Sequence, residues 1–280
     1  MQESIPTPVL LGVLNITEDS FSDGGKYLDP QAMRMRIRHL LSTGAAILDL
    51  GAASSNPNGQ AVAAETEIAR LQKGLDIIAE EKESSGQNIA ISVDSFHPEV
   101  QRFALQRGVD YLNDIHGFPD PALYDELAAS NCKLIVMHAV QSSGVADKRD
   151  VDPASIIDRI LGFFQERLAQ LESAGVRRNR IILDPGMGFF LGSNADCSFS
   201  AIAHVELIKS EFNLPLLYSV SRKSFLGAIT GREVSDRQSA TLAAELFLAL
   251  KGVDYIRTHE PAPLIDALKV WNAIQRQPGV

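Results

Sequence analysis

Two cysteines, no long apolar run and a shortage of positive charge set the first limits on this 280-residue chain. Cys132 and Cys197 are too few for a disulfide framework or a thiolate metal centre. Cys132 closes a helix-like stretch just before an apolar run and is expected to be a buried thiol. No segment reaches the ~18 consecutive apolar residues of a membrane-spanning helix. Lys and Arg number 26 against 35 Asp and Glu, a net charge of −9. That balance speaks against a nucleic-acid or membrane partner, while leaving room for a local cationic pocket. The opening stretch "MQESIPTPVLLGVL" lacks a basic n-region and reads as the lead-in to a first strand. A cytoplasmic location is expected.

What is present is globular: 45% hydrophobic and 22% charged residues, with 20 glycines and 13 prolines. Eight short apolar runs occur, at 9–14, 45–50, 89–94, 109–114, 133–138, 180–184, 214–220 and 253–259. Segments of helical period lie between them. In "DPASIIDRILGFFQERLAQLESAG" (152–175), Ile156, Ile160, Phe163/Phe164, Leu168 and Leu171 fall on one face, after an Asp-Pro start and before a glycine stop. Nearly unbroken apolar strands suit a parallel sheet covered on both faces. The alternation, repeated eight times, predicts a single (β/α)8 TIM barrel over residues 1–280, with a doubly wound open sheet as the alternative.

In such a barrel the site forms at the C-terminal strand ends, so the residues closing each run are the candidates. They are Asn15, Asp49 with Ser54 and Ser55, Asp94, Asn113 with Asp114, His138, Asp184, Ser221–Arg222–Lys223, and Arg257 with His259. Acids and amides come from the middle strands, cations from the last two. The cationic quarter suits a phosphate; Asp94, Asn113 and Asp184 suit the donor edge of a planar amino-pyrimidine ring. Met137 and Phe189 are the apolar groups nearest to such a ring. For any one of these residues, a turn or core role is an equal reading.

The segments "GVLNITEDSFSDGG", "SVDSFHPEV", "YLNDI", "ILDPGMGF", "VSRKSFLG" and "YIRTH" together resemble dihydropteroate synthase, in order, from about residue 9 to 260. The resemblance implies a TIM barrel that condenses 6-hydroxymethyl-7,8-dihydropterin diphosphate with p-aminobenzoate. It implies Asn15 as a ligand of a Mg2+ ion bridging the diphosphate, and Asp94, Asn113, Asp184 and Lys223 around the pterin, lined by Met137 and Phe189. Asp94, Asp184 and Lys223 would be the catalytic groups, in a dissociative transfer. Arg257 and His259 would grip diphosphate, and Ser55 and Ser224 would lie on the p-aminobenzoate side. A homodimer is implied as well.

Three departures stand out. The loop usually of the form S-T-R-P-G reads "SSNPN" here, so Asn56 replaces a guanidinium. Glu18 stands where proline is common. "GMGFFLG" carries a second ring, Phe190, expected to shape the wall near p-aminobenzoate. With "NDIHGFPDP", it resembles the sulfonamide-resistant branch of the family, so drug insensitivity is expected. A methyltetrahydrofolate-binding methyltransferase barrel, a Schiff-base barrel built on Lys223 and a non-catalytic pterin binder remain as alternatives.

Overall fold

The computed structural model describes residues 6–17, 29–53, 62–141 and 144–277. Eight parallel strands run in the order β6-β5-β4-β3-β2-β1-β8-β7. They are β1 (Val9–Asn15), β2 (Ile47–Gly51), β3 (Ala90–Asp94), β4 (Tyr111–Asp114), β5 (Lys133–Met137), β6 (Ile181–Asp184), β7 (Leu217–Tyr218) and β8 (Tyr255–Thr258). A bridge between Leu183 and Leu216, with the Leu183 N–H donating to the Pro215 carbonyl, joins the two ends of the sheet. The ring is therefore nearly closed, with helices between the strands, a (β/α)8 barrel.

Between β1 and β6 lie α1 (Pro30–Ser42), α2 (Ala64–Ser85), α3 (Pro98–Gln106), α4 (Tyr124–Ala129) and α5 (Ile156–Ser173). After β6 come α6 (Ala195–Ala203) and α7 (Val205–Phe212); α8 (Ser224–Thr230), α9 (Gln238–Leu250) and α10 (Ala262–Gln275) follow. The expected helical period of α5 is observed, with Ile156, Ile160, Phe164, Leu168 and Leu171 buried. Asp29 caps α1 by accepting the Ala32 N–H at 2.8 Å, and proline takes the first helical position. Strand residues alternate between faces. Leu10, Leu48, Leu112, Leu134, Val136, Leu183 and Ile256 point outward into the core shared with the helices. Leu11, Ile47, Ile135, Ile182, Leu217 and Tyr255 point inward and form a separate apolar plug.

The period of two fixes the mouth. One step along each strand above that plug stand Val13, Asp49, Met137, Asp184, Ser219 and Arg257; Asn113 follows Tyr111 in the same way. On all of these strands except β1 and β5, the inner face changes from apolar to polar within one residue pair.

The turn after β6 depends on glycine. Gly186 has φ +77° and Gly188 φ +67°, in the left-handed region. A methyl group on Gly186 would run into the carbonyl oxygen of His138. Gly186→Ala is expected to destabilise the fold by about 3 kcal/mol through left-handed strain and overpacking. Urea unfolding measures it, and an unchanged midpoint would show that the turn does not need the bare backbone.

Candidate active site

Arg257 is the centre of the mouth. β1 lies between β8 and β2, so the guanidinium reaches past the neighbouring strand to carboxylates on β2 and β3. Its Nε donates to Asp49 Oδ2 at 2.5 Å and its Nη2 to Asp94 Oδ2 at 2.9 Å. The three side chains are 14%, 0% and 20% exposed. Burial works against the Arg257 cation, but Asp49 and Asp94 outweigh it and hold the group charged. Burial pushes the Asp94 carboxyl up from its ordinary value, with Arg257 pulling it back.

Asp184 is 1% exposed and accepts the Gly186 N–H at 2.8 Å. Burial raises its pKa to about 6, against the pull of that N–H and of Lys223. Asn113 neighbours Asp94 in strand register, and its buried Oδ1 has no hydrogen-bond partner among the described residues. Met137 neighbours Asp184. The three expected ring-reading groups therefore come from β3, β4 and β6 around one bore. Lys223 caps α8, with its ammonium 5.0 Å from the centroid of Phe190. Burial, then Arg257, lower its pKa to about 8, opposed by Asp184 and Asp94.

The two phenylalanines of the turn differ. Phe190 is 4% exposed and packs with Ile115, Met137 and Ala146. Phe189 is half-buried, with the exposed Lys148 ammonium 5.8 Å from its ring. The deeper ring beside Met137 and Lys223 is therefore Phe190, and Phe189 holds the outer position. Ser224 begins α8, and its Oγ would stand 3.2 Å from a methyl group on Gly188.

At the last two strand ends, Ser221 Oγ lies 2.9 Å from His259 Nδ1. Burial, then the charges of Arg222, Arg257, Arg36 and Lys223, hold the His259 pKa well below the ordinary imidazole range. Asn15 ends β1; its Oδ1 would be 3.4 Å from a methyl group on Gly51.

Some strand-end candidates face away. Asp114 accepts the His116 and Phe118 N–H groups and the Gln101 amide, which makes it a turn anchor. His138 bonds the Pro185 carbonyl and packs edge-on against Phe163; burial lowers its pKa to about 4. Cys132 is a buried thiol, raised to about 12 by burial. Ser54, Ser55, Asn56 and Glu18 lie outside the described residues.

Two helical groups escape a search of strand ends. Arg36 of α1 is 7% exposed; its Nη1 donates to Glu260 Oε1 at 2.9 Å and its Nη2 to the His259 carbonyl. Glu260 also takes His39 at 2.9 Å and Arg222 at 3.6 Å. Glu67 of α2 accepts from Ser95 Oγ at 2.9 Å, and burial pushes it up to about 7. Their signal is a charge on a buried helical stripe: Met33–Arg36–Ile37–Leu40, and Glu67–Leu71–Gly74–Ile78.

The arrangement offers a carboxylate-and-amide face beside a cationic rim, a mouth able to hold a flat nitrogen-rich ring and an anion together. The chain matches the pterin binding enzyme family over residues 11–259. It is 51% identical over 267 residues to dihydropteroate synthase type-2 of Escherichia coli, covering 95% of this chain and 96% of that protein. Dihydropteroate synthase from Anaplasma phagocytophilum, solved with 6-hydroxymethylpterin-monophosphate, superimposes with a TM-score of 0.83 at 32% identity, covering 96% of this chain and 100% of that one. The Xanthomonas albilineans enzyme in complex with 7,8-dihydropteroate gives 0.78 at 28% identity, covering 99% and 96%. The chain belongs to the dihydropteroate synthase family of pterin-binding enzymes.

Removing one partner from a buried ion pair leaves an uncompensated charge. Asp49→Ala is expected to cost ~3 kcal/mol, read from guanidinium-induced unfolding. A loss indistinguishable from zero would mean that Arg257 does not need this carboxylate.

Proposed function

We propose that residues 1–280 form one pterin-binding barrel domain that joins 6-hydroxymethyl-7,8-dihydropterin diphosphate to p-aminobenzoate, releasing 7,8-dihydropteroate and diphosphate. The observation that carries this is the placement of Asp94, Asn113 and Asp184 around the same bore as Lys223, Arg257 and His259.

Asp184 accepts N–H bonds from the pyrimidine edge of the pterin, and Asn113 Oδ1, which lacks a partner among the described residues, takes another. Met137 lines the ring, with Phe189 at the outer wall and Phe190 the deeper ring. Lys223 holds the pterin and, with Arg257 and His259, the diphosphate. The bond from the pterin methylene to the diphosphate oxygen breaks, and the electron pair leaves with diphosphate. The methylene is then cation-like, and Asp94 and Asp184, fixed and shielded from water, stabilise it. The p-aminobenzoate nitrogen attacks and gives up a proton to water or to the released diphosphate. Its carboxylate lies toward Ser224 at the start of α8.

Mg2+ belongs to this proposal. Among the described residues, no group of three or more His, Cys, Asp or Glu could hold a metal. Asn15 offers one oxygen at the rim, which fits a hard cation carried mainly by phosphate oxygens and water. Such an ion would offset the charge growing on the leaving group. The protein's place is cytoplasmic; among the described residues no helix is long and apolar enough to cross a membrane. It works as a homodimer through its last helices, where Phe247, Val270 and Ile274 are 42%, 61% and 52% exposed.

Sulfonamides resemble p-aminobenzoate but carry a bulkier sulfonyl end. The double-phenylalanine turn, with Phe190 packed on Met137 beneath the Lys223 ammonium and Phe189 outside it, rejects that bulk. Phe190→Gly, with Phe190→Leu as the better-packed companion, should raise sulfonamide sensitivity about tenfold or more, ~1.4 kcal/mol. Equal insensitivity in both variants would contradict this role.

The direct test of the reaction is dihydropteroate formation with Mg2+ and with EDTA; no product with Mg2+ would reject it. The pH profile is a second test. Below about pH 6 Asp184 is protonated and cannot accept both N–H bonds; above about pH 8 Lys223 loses its charge. The kcat/KM for the pterin diphosphate should therefore fall on both sides of that window. A flat profile from pH 5 to 9 would contradict these roles.

A further inference from the structure

We infer that Ser221 is a positioning residue for the diphosphate grip: its hydroxyl donates to His259 Nδ1 and so fixes the neutral imidazole with its proton on Nε2. This rests on the proposed role of the mouth in binding diphosphate.

Ser221 is 5% exposed, so its hydroxyl proton needs a partner within the protein. Its Oγ lies 2.9 Å from His259 Nδ1 and accepts the His259 main-chain N–H at 3.3 Å. No other acceptor reaches this hydroxyl among the described residues. If Nδ1 carried the proton, both contacts would be donors to Ser221 and its own proton would be left unused. With Nδ1 as acceptor, all three groups are satisfied.

The ring has little freedom to choose otherwise. The main-chain N–H of His259 goes to Ser221, and its carbonyl is held by Arg36, which Glu260 holds in turn. The residue is pinned on both sides of its Cα. Nε2 is the nitrogen left without a partner among the described residues.

The tautomer matters because of what surrounds it. Arg222, Arg257, Arg36 and Lys223 disfavour a second proton on His259. The imidazole therefore approaches an anion as a neutral group. With the proton on Nε2 it donates to a phosphate oxygen; with the proton on Nδ1 it would turn a lone pair toward that oxygen. Ser221 decides between a contact that helps diphosphate leave and one that opposes it.

The test is a long-range 1H–15N correlation spectrum of ligand-free protein labelled with 15N-histidine, which separates the two neutral tautomers. His259 is assigned from the signals lost in His259→Gln. The expected result is an Nε2–H ring whose Nε2 signal moves when Mg2+ and inorganic diphosphate are added. In Ser221→Ala the ring should populate both tautomers. The KM for the pterin diphosphate should rise about tenfold, and that for p-aminobenzoate should change by less than roughly twofold. Ser221→Thr, which keeps the hydroxyl, should restore both readouts. An Nδ1–H ring in the wild-type protein would overturn the inference, as would a Ser221→Ala protein with tautomer and KM unchanged. Absence of dihydropteroate formation by the wild-type protein would count against the reaction; the tautomer and its response to inorganic diphosphate would still decide the role of Ser221.

Discussion

Arg257 lets the barrel collect carboxylates. Asp49, Asp94 and Asp184 all stand inside one narrow bore, and like charges at such range cannot all stay ionised unaided. The guanidinium, bonded to Asp49 at 2.5 Å and to Asp94 at 2.9 Å, supplies the compensating charge within the bore. Arg suits the task better than Lys, since its planar fork offers two donors in fixed directions and stays charged when buried. Lys223 is the second cation, and burial has already brought it down to about 8. Among the described residues of the bore, three acids face two bases, an excess that suits a positive centre.

The rest of the molecule supports that balance. Apolar residues one step below, from Leu11 to Tyr255, plug the bore and keep water from entering beneath the acids. Two outer helices reach the mouth through one buried charge each. Arg36 ties α1 to the main chain at His259 and Glu260, and Glu67 ties α2 to Ser95, the residue after Asp94. The β6 turn brings its aromatic wall close by keeping glycine at 186 and 188. Each support is local, and none shares a side chain with the others.

Much of this is legible in the sequence. The eight apolar runs mark all eight strands because a strand buried on both faces is continuously apolar. The run 214–220 is longer than the ladder it forms: β7 keeps only Leu217–Tyr218, and the chain turns over Val220–Lys223, where Arg222 has φ +60°. The candidates at strand ends mix two faces, and only parity with the plug separates Asn113 from Asp114 and Met137 from His138. Arg36 and Glu67 come from helices, so a search of strand ends passes over them. The order of Phe189 and Phe190 is set by a short 3-10 turn over Gly188–Leu191 whose direction a sequence does not reveal. The resemblance implies Arg257 as a grip on diphosphate; in the structure its guanidinium also bonds Asp49 and Asp94.

The measurement closest to the centre of this account is a crystal structure of the protein with pterin diphosphate bound, set beside a ligand-free one. Arg257 Nε is expected to stay on Asp49 in both, with only its Nη2 exchanging partners as the ligand enters. A guanidinium that swings away from Asp49 to meet the ligand would contradict the account, because the acids of the bore would then need no internal counter-charge.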